Sequence, residues 1–334
     1  MEETDGMPRR YDRREFLEKA STWAVAASLV FAAGSSGCGG REEGCPLPAG
    51  GEAGVEELPA PGGERTRAGL VVVKGEDPAE ALRAAWEEWY PERPDFSGKR
   101  VLLKVNAAFA RKPSDAVTTN PALLAEAVRL FKAAGATEVV VYDHILQDLV
   151  GPTLDKNGLG QAAREQGAKL AVYPVRKPGP YKKVRIPGAK ALPEVGILDE
   201  IFHADLVVNM PKAKHHSGAR LSLSLKNLIG CTADMGKMHS IELHRAIAEL
   251  GTVVKPYLVI MDATSVLLDG GPGGPGAVAT PGKVIVGSDP VAVDAYTCGI
   301  FGVEPISVGY IYHAHELGVG SADLSKIEVR ELKI

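Results

Sequence analysis

Short runs of branched apolar residues recur along this chain, and they limit what it can become. Leu70-Val71-Val72-Val73, Val101-Leu102-Leu103, Val139-Val140-Val141, Leu206-Val207-Val208, Leu258-Val259-Ile260-Met261 and Val284-Ile285-Val286 have the length and composition of buried strands. Helical stripes lie between them. Pro78 to Trp89 carries Ala81, Leu82, Ala85 and Trp86 on one side, and after Pro121 the residues Leu124, Ala127, Val128 and Phe131 mark another buried face. Asn120 is a good N-cap for that second helix, Pro121 fits its first position, where a missing N–H costs little, and Gly135 ends it. Strand, helix and strand in that order make a crossover between parallel neighbours. The spacing predicts an α/β fold: a mostly parallel sheet flanked by helices.

The rest of the body reads less uniformly. Gly158 to Gln166 has a helical pattern and Leu170 to Tyr173 an extended one. Arg176 to Lys190 holds six basic residues, no acid and three prolines, which suits a basic hairpin or arm inserted at the surface, its charge a solvated face. Leu221 to Ile229 fits two periods. Leu221, Leu223 and Leu225 alternate as in a strand, while Leu221, Leu225, Leu228 and Ile229 fit a helix. Ile241 to Leu250 reads as helical, which puts His239 within reach of Glu242. Gly270 to Gly276 lacks the Gly-Lys-Ser/Thr ending of a phosphate loop, and its prolines remove N–H donors. Its glycines let the backbone turn or pass close to something else. Ser288-Asp289-Pro290 caps a helix running to Ile300 and containing Asp294.

Ahead of the body lie two segments of other kinds. Residues 1–37 read as a signal: Arg13-Arg14-Glu15-Phe16-Leu17 resembles the twin-arginine consensus, and the apolar run from Trp23 to Gly34 is short for a membrane span. Such signals are addresses read by a translocon. The expectation is export by the Tat route, with that translocon as a passing partner, to the periplasm or the outer face of the cell membrane. Ser35-Ser36-Gly37-Cys38 resembles a degraded lipobox, so a lipid anchor at Cys38, ordinary cleavage and an uncleaved anchor all stay open. Residues 38–67 are rich in Gly, Pro and Glu and poor in large apolar side chains, the composition of a disordered linker. Residues 68–334 are left as the folded domain, in one or two lobes.

Chemistry gathers where the strands stop. Lys104 and Asn106, Asp143 and His144, Asn209, Asp262, and Ser288 with Asp289 all sit at or just past predicted strand ends, where open parallel sheets bind ligands. One further stretch stands out. Between Asp205 and Asp234 there is no carboxylate, yet Lys212, Lys214, Arg220 and Lys226 are present with His215, His216 and Asn227. Cations gathered without a neutralising acid repel one another unless an anion joins them. A small anionic ligand is therefore the expected partner, bound by Lys104, Asn106, Asn209, Lys212, Lys214, Asn227 and Ser288. Lys226, Asp143 and Asp289 are candidates for the chemical step, and His215, His216 and His239 for metal ligation. Each histidine could equally be hydrogen-bonded in a loop.

Several classes are excluded. A net charge of -4 does not suit a general nucleic-acid binder. Cys38, Cys45, Cys231 and Cys298 form no C-x2-C pair, so the chain has no motif for a cysteine-ligated iron–sulfur cluster. Cys231 and Cys298 read as small buried residues.

Taken together, Lys104-Val105-Asn106, Thr118-Thr119-Asn120-Pro121, Asn209-Met210-Pro211-Lys212, Lys226-Asn227-Leu228-Ile229-Gly230, Gly287 to Ala295 and Gly318-Val319-Gly320 resemble domain of unknown function 362, over about residues 69–330. Some members of that family carry a fused ferredoxin-type module, which implies an iron–sulfur or redox partner; this chain lacks the module. A second likeness is to the nickel-pincer lactate racemases, in which a histidine, a lysine ten residues later and a further histidine serve the cofactor. His216, Lys226, and His239 or His244 follow that order. The resemblances imply an exported enzyme with a metal ion or organometallic cofactor, or a redox-associated protein, acting on a small anion. The alternative is a non-catalytic anion- or metal-binding protein, or a maturation factor for an iron–sulfur or redox partner.

Overall fold

The computed structural model describes residues 69–334 apart from Glu92, Gln147, Asp148 and Asp234. The signal segment, the linker and Cys38 lie outside the described residues. In chain order the strands are β1 (Leu70–Lys74), β2 (Arg100–Lys104), β3 (Glu138–Ile145), β4 (Lys169–Pro174), β5 (Tyr181–Arg185), β6 (Glu194–Leu198), β7 (Leu206–Asn209), β8 (Lys212–His216), β9 (Arg220–Ser222), β10 (Leu258–Leu267), β11 (Val278–Ala279), β12 (Lys283–Gly287) and β13 (Val329–Lys333). The helices are α1 (Pro78–Trp89), α2 (Pro121–Ala133), α3 (Val150–Lys156), α4 (Leu159–Glu165), α5 (Ser224–Asn227), α6 (Met235–Ser240), α7 (Leu243–Val253), α8 (Pro290–Ile300) and α9 (Gly309–Glu316).

An 11-stranded sheet follows the order β13-β1-β12-β10-β7-β2-β3-β4, with β8 and β11 also on β10 and β9 on β8. From β10 to β4 the neighbours are parallel, as the crossover pattern predicts. Successive side chains on a strand point to opposite faces, and here both faces are buried. Val71, Val73, Val101, Leu103, Val139, Val141, Val284 and Val286 join one apolar layer with Leu82, Trp86, Leu124 and Phe131 of α1 and α2. Leu70, Val72, Leu102, Val140, Tyr142 and Ile285 join the other with Ile247 of α7, Val291 of α8 and Ile311 of α9. The first layer is stiffened by rings: Trp86 meets Phe131 edge-on at 5.0 Å between centroids, and Phe96 stacks on Phe131 at 5.5 Å. Such pairs add about 0.5–1.5 kcal/mol beyond the area they bury.

The helix ends follow from sequence. The Asn120 side chain accepts from Ala122 N with Pro121 next to it, and Asp289 accepts from Val291 N and Ala292 N ahead of Pro290. The basic arm is a hairpin, with β5 and β6 antiparallel in a 2-stranded sheet of their own.

Three expectations change. Leu221 to Ile229 is both of its readings in turn: β9 ends at Ser222, Leu223 is extended, and α5 begins at Ser224, followed by a 3-10 turn at Leu228–Cys231. β10 does not stop at Asp262 but runs to Leu267, so that aspartate lies inside a strand. β12 is antiparallel to both β1 and β10, so its C-terminal end points away from those of the parallel strands. Apolar periodicity reports burial and not strand direction, which is why this last error was built into the reading.

Candidate functional site

The polar tips of the parallel strands meet over one face of the sheet. Lys104 and Asn209 are cross-strand partners, and Asn227, delivered by α5, lies across both. Asn227 Nδ2 donates to Asn209 Oδ1 at 2.8 Å, and Asn227 Oδ1 accepts from Asn106 Nδ2 at 3.1 Å and Lys104 Nζ at 3.4 Å. Asn209 Nδ2 donates in turn to the Ser224 carbonyl at 2.9 Å. Asn106 is held from behind, its N–H donating to Thr119 Oγ1, whose hydroxyl donates to the Met210 carbonyl, each at 2.8 Å. Three asparagines thus form a continuous ladder. A buried network of this kind holds its members rigidly because every lost bond leaves a desolvated group.

Four lysines surround this network, two of them bonded to it, and they differ in what meets them. Lys104 is 1% exposed and pairs with Asp143 at 2.7 Å. Lys212, equally buried, pairs with Asp262 at 2.9 Å and reaches Ser265 Oγ at 3.1 Å. Lys214 has no such acid. Its Nζ donates to Asn106 Oδ1 at 3.1 Å and to the Val117 carbonyl at 2.6 Å, and it lies 5.2 Å from the centre of the Phe109 ring. Burial first, then the neighbouring Lys226, pulls its pKa down to about 7. Lys226 meets His239 Nε2 at 3.4 Å, and burial with Lys104 nearby lowers it to about 8.

The histidines take separate places. Consecutive strand residues face opposite ways, and so His215 Nδ1 accepts from Gly271 N at 3.1 Å while His216 stacks on His239, with ring centroids 5.9 Å apart. His216 Nδ1 accepts from Gly218 N and Ala219 N at 3.0 and 3.1 Å, and burial pushes its pKa down to about 2. His239 Nδ1 stands 2.9 Å from the Met235 carbonyl. A carbonyl only accepts, so that nitrogen carries the ring proton and Nε2 keeps its lone pair toward Lys226. Glu242 is not its partner; α6 ends before Glu242, which precedes α7. His244 is elsewhere, with Nδ1 accepting from Tyr310 N.

A metal ion held directly by His215, His216 and His239 does not fit these donors. The lone pairs of the first two are occupied by backbone N–H groups, the third faces an amine, and the surroundings are cationic. Among the described residues no group of three His, Cys, Asp or Glu side chains is placed to hold a metal ion.

Two of the acid–base candidates are committed elsewhere. Asp143 neutralises Lys104 and accepts from Ala107 N. Asp289 caps α8 and accepts from Ser321 N at 2.8 Å, and Ser288 follows the same antiparallel strand. Asp289 makes no hydrogen bond to the lysine cluster among those described. Cys231 and Cys298 are buried free thiols.

Several contributors were hidden from sequence reasoning. Asp262 showed only as a polar residue after an apolar run; its satisfied state, with Asn120 N and Thr264 Oγ1 also donating to it, needed coordinates. Asp294 accepts from Ser224 N at 2.7 Å and Leu225 N at 3.0 Å, fixing the start of α5, and burial raises its pKa to about 7. The Gly270–Gly276 loop closes the Lys214 side. Built as alanine, Gly271 would put its Cβ 1.8 Å from the His215 carbonyl oxygen, and Gly273 would put it 2.9 Å from the Phe109 ring. His144 is 1% exposed, and burial lowers its pKa to about 4 against the opposing pull of the Asp143 charge and the Gly230 backbone beside it.

Residues 101–299 match Domain of unknown function (DUF362). A thylakoid-associated protein of Synechocystis sp. is 23% identical over 240 residues, covering 66% of this chain and 69% of that protein. Among solved structures, a Thermotoga maritima protein matches at a TM-score of 0.44 and 13% identity, over 69% of this chain and 60% of its own length. The lactate racemase apoprotein of Thermoanaerobacterium thermosaccharolyticum matches at 0.33 and 14%, over 59% of this chain and 50% of its own. Likenesses at that level do not bear on chemistry.

Proposed function

The chain belongs to the DUF362 family, and from that premise we propose that its lysine–asparagine cluster is the site of an enzyme that takes a small anionic substrate, a carboxylate or phosphate. One observation carries the reading. Lys214 and Lys226 are buried amines without a carboxylate, whereas Lys104 and Lys212 beside them each have one. An unpaired buried ammonium is costly by several kcal/mol, so it either gives up its proton or is met by an anion. A site that must bind negative charge and then move a proton uses both outcomes.

In this reading Lys214 is the counter-charge for the ligand, and the asparagine ladder fixes where that charge sits. Lys104 and Lys212 are held as neutral pairs and shape the field without binding directly. Lys226 and His239, at the open edge, are the groups free to exchange a proton. A metal or organometallic cofactor remains part of the proposal only as an anionic group lodged against the amines, since the histidines do not offer a cation their lone pairs. Export by the twin-arginine route belongs to the proposal as well. It is supported by Arg13-Arg14-Glu15-Phe16-Leu17 and by the thylakoid association of the Synechocystis relative.

The test is calorimetric titration at pH 8 with inorganic phosphate and with oxalate, repeated in buffers of different ionisation enthalpy. Saturable binding accompanied by proton uptake is expected, because an anion raises the pKa of an adjacent amine. Both should vanish in Lys214→Met. Absence of saturable binding in a folded wild-type protein would sink the reading. Binding without turnover across substrate panels would instead favour a non-catalytic anion carrier, the service role for a redox partner.

A further inference from the structure

The cluster's lysines sort themselves by their contacts. Lys104 and Lys212 are tied to carboxylates, and Lys214 spends two donors on Asn106 Oδ1 and the Val117 carbonyl. Lys226 alone meets a base. Its Nζ faces His239 Nε2, and the far nitrogen of that ring is fixed by the Met235 carbonyl. Nucleophile, base and orienting acceptor in a row are the recurring arrangement of covalent catalysis. Lys226 is also the most accessible of the four, 8% exposed where the other three are at 1%, and its base rides on the solvent-facing α6. An amine among cations and apolar walls is held partly unprotonated, the form that attacks carbonyl carbon.

We propose that Lys226 forms an imine with the carbonyl carbon of a small oxo acid, with His239 Nε2 taking the proton from the attacking amine and Lys214 balancing the acid's carboxylate. The proposal rests on the anion-site reading above and names its substrate class. Two features select an oxo acid. The unpaired Lys214 calls for a negative group, and the free amine calls for an electrophilic carbon within the same small molecule. The atoms balance without any further reactant. His239 removes a proton from the Lys226 ammonium. The freed lone pair forms the C–N bond as the carbonyl π bond breaks, the oxygen takes back that proton from the His239 imidazolium, and His239 removes a second proton from nitrogen to give a neutral carbinolamine. The imidazolium returns the second proton to the hydroxyl, which leaves as water as the nitrogen lone pair forms the C=N bond of a protonated imine. Oxidant and reductant are not needed. Met235 enters only through its carbonyl, as a positioning group.

Glyoxylate with sodium cyanoborohydride is the probe, since hydride reduction of the C=N bond leaves a stable carboxymethyl group on nitrogen. The full-length protein is treated and its peptides mapped by mass spectrometry, with exposed Lys112 as internal reference. Modification should concentrate on Lys226, faster than on Lys112. His239→Gln should slow it by about a hundredfold, as loss of a general base does, with phosphate binding retained. Lys226→Arg should abolish it; should that variant not fold, the wild-type map and His239→Gln still decide. Glyoxylate that binds saturably but modifies Lys226 no faster than Lys112 overturns the imine and leaves the anion site standing. Absence of saturable binding for both glyoxylate and phosphate overturns the anion-site reading with it.

Discussion

The two halves of the lysine cluster solve opposite problems. Around Lys104 and Lys212 the sheet supplies a carboxylate from a neighbouring strand, so charge is cancelled where it is buried. Around Lys214 and Lys226 the same fold supplies carbonyls and a histidine, which orient an amine without cancelling its charge. The first arrangement holds the architecture, and the second leaves the protein with a deficit that a ligand can fill. A buried charge with its own partner argues for scaffold, and a buried charge without one argues for a site.

The sharpest way to break that contrast is to remove one lysine from each half. Lys104→Met strands Asp143 in the interior and should cost about 3–5 kcal/mol in urea unfolding. Lys214→Met strands no carboxylate, only the Asn106 Oδ1 and Val117 carbonyl acceptors, and should cost less, about 1–3 kcal/mol, while anion binding is lost. Equal destabilisation by both would erase the distinction. Acidity sharpens it further. Burial holds the folded Lys214 at a pKa of about 7, against the ordinary 10.5 of a lysine in water, so between those values the unfolded chain binds more protons. Stability of the ligand-free protein should therefore fall as pH drops from about 10 toward 7, by up to about 1.4 kcal/mol per unit for this group. Differential calorimetry should show that slope shrinking in Lys214→Met and on saturation with phosphate. The smallest effect belongs to His239→Gln, an exposed position, which should shift the urea midpoint by no more than about 0.5 kcal/mol while changing the reactivity of Lys226.

Much of this was legible in the sequence, for reasons that can be named. The apolar runs and the Asn120-Pro121 cap give strands and helix because burial and capping are written in residue identity. Lys104, Asn106 and Asn209 come together because parallel strands deliver their ends to one edge, while β8 brings Lys212 and Lys214 beside them and α5 brings Lys226 and Asn227. Ser288 and Asp289 fail the same inference, since β12 runs the other way and nothing in its composition says so. Val117 and Met235 act through backbone carbonyls, which every residue has and no pattern reveals. The change from period two to helix at Leu223 gave two overlapping signals, and both were right, each over half the stretch.

The Gly270–Gly276 loop sets a boundary on how this protein can diversify. A methyl group at Gly270, Gly271 or Gly276 would fall within 2.2 Å of a main-chain oxygen, so those three positions have no side chain to lengthen, shorten or recharge. Main chain packs directly on main chain there, and only Pro272, Pro275 and the neighbouring Phe109 offer that flank a contour to vary. Around α6, where Gly236, Lys237 and His239 are exposed, substitution meets water rather than backbone.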